Sequence, residues 1–402
     1  MISVSFIIPV YNTPETLLRR CIDCILKVIG NCDAEIIVVD DGSAEINVKE
    51  VLSSYGIDVK FFRQENKGQA AARNVGLANA TKEYIQFVDS DDYLLAENYL
   101  EVLNLAAEEN ADLIMFSHKE VSTVEPILQK RKGSKMGSGS GDDYLLNNSI
   151  FGVVWNCLIR RSSISGLAFH EGIYHEDEEF APLMILRARK MLVTNYVCYA
   201  YYFSPNSTMT NTDGKHIDRR FRDFCTVIDA LRLESSGMTG KKQKALIRRI
   251  DQLCQAFAYI VVRQSPDKEF FKRWAGTLFE KGYLPLPDKK YNFKYSLSRK
   301  LTDSCGKLEF AYNLMHLILR YYCSDNSVMS IGRLPRGLGL LGIRFALPRM
   351  ETFGRTTNAI FPWREHSVLS LVHFLFMQNL HSLCLVLEVM ILFRLLIRCF
   401  WK

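Results

Sequence analysis

EYIQFVDSDDY, residues 83–93, is an apolar run that ends in three carboxylates, Asp89, Asp91 and Asp92. Tyr84, Ile85, Phe87 and Val88 are aromatic or β-branched, and so short a run reads as a buried strand. Its C-terminal end delivers the acids to a sheet edge, where open α/β sheets bind ligands. Three carboxylates within four residues repel one another and resist desolvation, so such a group is expected to hold a cation. A divalent metal bridging protein and phosphate fits this expectation. A solvated acidic turn capping the next helix is the plainer alternative.

Upstream, the chain repeats one unit. SVSFIIPV, residues 3–10, reads as a buried strand, followed by a helix with Thr13 as N-cap, Pro14 at N1 and Leu17, Leu18, Cys21, Ile22, Ile25 and Leu26 at helical spacing. Glu35 to Val39 is a strand ending in Asp40-Asp41-Gly42-Ser43; a weaker helix and a strand near Val59 to Phe62 follow. Gly68 to Ala80 is an Ala-rich helix that leads into residues 83–93, and a helix from Glu97 to Glu109 precedes a strand from Asp112 to Phe116. This alternation predicts a mainly parallel central sheet flanked by helices, Rossmann-like in class. In such a sheet Asp40-Asp41 and Asp89-Ser90-Asp91-Asp92 converge on one face. One acidic pair can meet a base or ribose while the other holds a metal on a diphosphate. Arg73 lies between them as a fixed positive donor.

Beyond residue 116 the pattern loosens. Lys130 to Asp142 is basic, then Gly/Ser-rich, and reads as a mobile loop. Order returns over Phe151 to Arg160 and continues through HEGIYHEDEEF, residues 170–180. Ile217 to Arg263 has the period of a helical region. The expected division is residues 1–213, with halves 1–116 and 117–213, then a helical accessory region 214–327 and a tail 328–402.

The net charge of the 402 residues is +6, and residues 331–402, with nine Lys and Arg against three Glu, carry all of it. The tail is also rich in Leu, Ile, Val and Phe. Polar and charged residues keep every apolar run short of the roughly 20 residues that cross a bilayer. The expectation is therefore peripheral attachment to an anionic cytoplasmic membrane face, with a helix docked on protein as the alternative. Eleven cysteines, an odd number scattered through predicted elements, suit a reducing compartment. Cys21 and Cys24 fall in a helix's apolar stripe and read as structural. No nucleic-acid partner is expected.

SVSFIIPVYN, VVDDGS, NKGQAAARNVGL, FVDSDD and HEDEEF, in this order and spacing, resemble the inverting family 2 glycosyltransferases of the GT-A fold, of the type acting on bacterial polysaccharides and lipid-linked glycans. The resemblance covers residues 1–211, and the five ordered motifs together carry it. It implies a nucleotide pocket lined by Pro9, Tyr11, Asp40 and Asp41, with Arg73 and Asp89 near the nucleotide sugar. It implies a DxD element of Asp89 and Asp91 on Mn²⁺ or Mg²⁺, with Asp91 the more direct ligand, and a catalytic base in Glu176-Asp177, taken as Asp177. A first-turn acidic cluster is the bland alternative for that pair. The expected reaction moves one sugar from a nucleotide diphosphate, UDP by analogy, to a glycan or lipid-linked acceptor in cell-surface polysaccharide synthesis, beside the inner membrane face.

Processive members carry Gln-x-x-Arg-Trp; here Phe270 stands in the Gln place before Arg273-Trp274, which favours single transfer. Gly337 to Gly342 matches GxGxxG without a preceding strand and reads as part of the tail. Two alternatives remain. Asp89-Ser90-Asp91 also resembles the motif of haloacid-dehalogenase-like phosphatases, but Tyr93 replaces the Thr or Val they need and the motif does not follow the first strand. A non-catalytic assembly factor predicts lost carboxylates, whereas Asp89, Asp91 and Asp177 are present.

Overall fold

Strand β1 (Ser3–Val10) has the apolar density of a central strand and is buried from Val4 onward. It pairs in parallel with β2 (Asp33–Asp40) on one side and β4 (Tyr84–Phe87) on the other, and β2 pairs in parallel with β3 (Val59–Arg63). Helices α1 (Glu15–Ile29), α2 (Val48–Ser53) and α3 (Gln69–Asn79) connect these strands in turn. The computed structural model describes residues 2–125, 133–203 and 212–324.

After the two-residue strand β5 (Tyr93–Leu94) and α4 (Ala96–Glu109), the sheet continues through β6 (Leu113–Val121), β8 (Cys157–Arg160) and β9 (Met191–Tyr202). The strand order is β3-β2-β1-β4-β8-β6-β9-β5. Strand β8 runs antiparallel between β4 and β6, and β9 runs parallel to β6, so β3, β2, β1, β4, β6 and β9 share one direction. The fold is α/β with a central nine-stranded sheet, mainly parallel in direction and flanked by helices, as the alternation predicts. Phe6, Ile8, Leu18, Ile22, Ile25, Tyr99 and Val102, all fully buried, fill its main core.

Two local expectations are corrected. Helix α1 starts at Glu15 with Pro14 in the cap position, and no side chain caps it. The Thr13 hydroxyl is instead 2.6 Å from that of Ser90, a bond that joins the ends of β1 and β4. Residues 133–142 are not a loop throughout, because β7 (Lys135–Gly139) pairs antiparallel with β9 and α5 (Gly141–Asn147) begins directly after it. The Gly/Ser composition hid a strand whose hydrogen bonds come from a long neighbour.

Helix α6 (Glu176–Arg187) follows, and α7 (Gly214–Ser236), α8 (Gly240–Gln264) and α9 (Lys268–Glu280) form the predicted helical region. Phe221, Phe257 and Trp274 join these three helices through edge-on ring contacts. Met1–Tyr283 is one compact unit and a second begins at Leu284. The described part of the second contains α10 (Phe293–Leu301) and α11 (Cys305–Ser324). No helix among the described residues is long and apolar enough to cross a membrane. The expected membrane-attaching tail, 328–402, and its GxGxxG match lie outside the described residues.

Candidate active site

The strand order reverses at β1, with β2 to one side and β4 to the other, so the C-terminal ends of these three strands frame a crevice. Pro9 is buried in β1, and Tyr11 beyond its end is 51% exposed. Asn12, at φ 47°, turns the chain, and its Oδ1 accepts the N–H groups of Ala44 and Glu45 at 2.8 and 3.0 Å. The turn after β1 is thereby tied to the one after β2.

Asp40 and Asp41 are both buried, and their carboxylates are engaged by the protein itself. Asp40 accepts the Ser43 N–H at 2.9 Å and pairs with Arg63. Asp41 accepts Gln64 Nε2 at 2.7 Å and the N–H groups of Lys67 and Gly68 at 2.9 Å each. The pair therefore shapes the loop that starts α3.

Arg73, on α3, is 1% exposed. A Cβ on Gly76 would lie 2.3 Å from Ile7 Cγ2, so only glycine lets α3 approach β1 this closely. From there Arg73 Nη2 donates to Asp89 Oδ1 at 2.9 Å, and Nη1 donates to Asp177 Oδ1 at 2.7 Å and Glu176 Oε1 at 3.0 Å. Its guanidinium lies over Phe169, 5.4 Å from the ring centre. Burial works against the Arg73 charge, but Asp177, Asp89 and Glu176 more than offset it and raise its pKa. The structure thus brings Arg73, Asp89, Glu176 and Asp177 into one cluster. Glu176-Asp177 opens the first turn of α6, where Glu178 and Glu179 complete an acidic cluster.

The acidic loop is held by residues that sequence reasoning did not select. Gln69 Nε2 donates to Asp89 Oδ1 at 2.9 Å, and the Asp89 N–H donates to the Tyr199 hydroxyl at 3.0 Å. Gln69 and Arg73 are four residues apart, a spacing that shares a helix face, and this could have revealed Gln69. Arg20 is buried in α1, donates to the Asp91 carbonyl at 2.5 Å and lies between the rings of Tyr93 and Tyr202. Trp155 lies flat over Tyr199 at 4.5 Å and is buried, as a core role predicts.

The electrostatics of this loop are short of positive charge. Burial, then the Asp89 charge, push Asp91 up to about 6. Burial, then Asp89 and Asp91, push Asp92 up to about 9. Asp92 Oδ1 accepts the Tyr202 N–H at 2.6 Å, while its Oδ2 is buried without a partner in hydrogen-bonding geometry. Burial also raises Asp177 and Glu176, with Arg73 pulling both down. Among the described residues, no group of three or more His, Cys, Asp or Glu is already closed into a metal site. The raised Asp91 carboxyl, pushed up in part by the Asp89 charge, nevertheless fits a cation at Asp89 and Asp91, which would relieve their mutual repulsion.

A cleft of about 500 Å³ beside the β1 turn is lined by Asn12, Glu15, Arg19, Glu45 and Ile46, among others, and includes none of this cluster. Arg273-Trp274 sits on α9, where Arg273 Nη2 and Trp274 Nε1 both donate to Asp218 Oδ1, at 2.7 and 3.0 Å.

Comparison with known proteins identifies the family and the fold. Residues 5–167 match the profile of the family described as Glycosyl transferase family 2. Glycosyltransferase GlyG of Streptococcus pneumoniae is 30% identical over 222 residues, spanning 51% of this chain and 72% of that protein. The uncharacterized glycosyltransferase YibD of Escherichia coli is 27% identical over 217 residues, spanning 51% of this chain and 62% of that protein. Residues 1–349 of S. aureus TarS, solved in complex with UDP-GlcNAc, share the fold with a TM-score of 0.58 at 17% identity, covering 82% of this chain and 93% of that one.

Proposed function

The chain belongs to glycosyltransferase family 2, and on that premise we propose that it transfers one sugar from a UDP-sugar to a glycan or lipid-linked acceptor, with inversion. The observation that carries the site assignment is Arg73, which joins the acidic loop after β4 to the first turn of α6. Asp89 and Asp91 would hold Mn²⁺ or Mg²⁺, which supplies charge to the leaving diphosphate. Pro9, Tyr11, Asp40 and Asp41 line the nucleotide side. UDP as the carrier is supported by the shared fold of TarS, solved with UDP-GlcNAc.

Asp177 is the base. Its Oδ1 is taken by Arg73, and its Oδ2 receives the proton of the acceptor hydroxyl. The acceptor oxygen bonds to the anomeric carbon as the bond to the diphosphate breaks, and the electron pair leaves with the diphosphate. Attack from the face opposite the leaving group inverts the centre. Burial, by raising the Asp177 carboxyl, makes it a better proton acceptor than an ordinary aspartate.

Single transfer is supported by Phe270 in the Gln place, while Trp274 of α9 is buried and donates to Asp218 of α7. The role in cell-surface polysaccharide synthesis and the place at the inner membrane face rest on the tail's composition and on the family resemblance. The test is a panel of nucleotide sugars with Mn²⁺ or Mg²⁺ and a membrane extract as acceptor, read as released nucleotide diphosphate. Asp177→Asn is expected to cut transfer by about 100-fold or more while nucleotide binding stays within about two-fold. Loss of binding in that variant, or no donor turned over by the native chain, would overturn the proposal.

A further inference from the structure

Four acids open α6, and they are divided among three basic partners. Arg73, from α3, takes Glu176 and Asp177. His170 Nδ1 meets Glu179 Oε2 at 3.0 Å. Glu178 pairs with Arg249, which reaches it from α8. Successive residues of a helix project about 100° apart, so Arg73 and Arg249 grip different sides of one turn. Packing of Phe180 and Met184 holds the body of the helix, and the two arginines hold its first turn from two sides.

Arg249 is 5% exposed, and its Nη1 donates to the Ile150 carbonyl at 3.0 Å. It therefore sits where the 150–152 segment meets α6. A Cβ on Gly152 would stand 2.0 Å from Glu178 Oε2 and 2.8 Å from Glu178 Cα, so the segment abuts the helix. Arg249 Nε is buried with no partner in hydrogen-bonding geometry. Burying an arginine with an idle donor is costly, and packing alone would be better served by an apolar side chain.

We propose, on the reading of Asp177 as the base, that Arg249 is a positioning residue: its pair with Glu178 sets the rotation of the first turn of α6 and so aims the Asp177 carboxylate. The helical region thereby completes an active site whose other parts come from α3, α6 and the loop after β4. Arg248 supplies the control. It is also 5% exposed on α8, but its Nη1 donates to the carbonyls of Leu145, at 2.6 Å, and Asn148, in and after α5.

The test compares Arg249→Met, Arg249→Lys and Arg248→Met in the full chain. Arg249→Met is expected to lower kcat by about 10- to 100-fold with donor KM within about two-fold, because small misplacements of reacting groups have that cost. Arg249→Lys restores a large part of the loss. Arg248→Met lowers Tm comparably and leaves kcat per folded molecule within about two-fold. Hydrogen exchange gives a readout independent of turnover: amides of residues 176–180 exchange at least about ten-fold faster in Arg249→Met, and those of 86–89 do not. Should Arg249→Met not fold, Glu178→Gln carries the same expectation. Equal kcat losses in the Arg248 and Arg249 variants, or unchanged exchange at 176–180, overturn the proposal. If the native chain turns over no donor, the functional reading falls while the exchange result still decides the positioning.

Discussion

Glu35, at the N-terminal end of the parallel sheet, and Asp91 and Asp92, in the loop beyond its C-terminal end, are treated in opposite ways. At the N-terminal end Glu35 accepts the Ser5 hydroxyl at 2.6 Å and the Thr81 N–H and hydroxyl at 2.6 and 2.9 Å, and it pairs with Lys60 at 2.7 Å. Burial pushes its carboxyl up, but these donors outweigh it and hold it down to about 2. At the C-terminal end burial and like charges push Asp91 and Asp92 up to about 6 and 9. An acid that serves the fold arrives with its donors. Asp91 and Asp92 are left wanting charge, and the fold carries that cost.

The largest test of the contrast removes the one arginine at the centre of the poorer end. Arg73→Met strands Asp89, Glu176 and Asp177, and is expected to cost about 3–5 kcal/mol, as when one partner of a buried pair is lost. Donor turnover should fall with it. Denaturant unfolding and nucleotide-diphosphate release check both, and a variant as stable as the native chain would remove Arg73 from its central place.

Glu35→Gln probes the richer end. Losing the charge among these donors should cost about 2 kcal/mol at pH 7 and leave kcat unaltered. The sign of its pH dependence follows from the lowered carboxyl. Glu35 stabilises fully above its unfolded value near 4.5, and the contribution disappears as pH falls towards about 2. Native and variant unfolding curves should therefore converge in acid.

The smallest expected effect has the opposite sign. Asp91→Asn removes a repelling charge and should raise stability by about 1 kcal/mol at pH 7 while abolishing donor turnover. Because the folded Asp91 carboxyl titrates near 6, above its unfolded value, its penalty applies at higher pH and fades as pH falls below 6. Added Mn²⁺ should raise the Tm of the native chain and not that of the variant. A Tm gain of equal size in both would move the cation elsewhere.

The strands and their acidic ends were legible because an apolar run stopped by carboxylates has few other readings. The partners of Arg73 were not, since 103 residues separate it from Glu176 and only the folded sheet closes that distance. Arg20 and Arg249 escaped for another reason. A basic residue in an amphipathic helix reads as solvent-facing until the neighbouring elements bury it. Strand β7, with the sequence KMGSG, has no β-branched residue, and its pairing is supplied by β9. Thr13 carried an N-cap signal, but its hydroxyl bonds Ser90 across the crevice.

The division of the α6 acids also bears on how such chains can be recombined. The stretch that matches the family profile ends at residue 167, short of the Arg73 partners at 176 and 177 and far short of Arg249. A chimera joined at 167 would import a first turn whose counter-charges belong to a different parent on each side. A crossover placed after α8, at Ser265, transfers sheet, acids and both arginines as one heritable block.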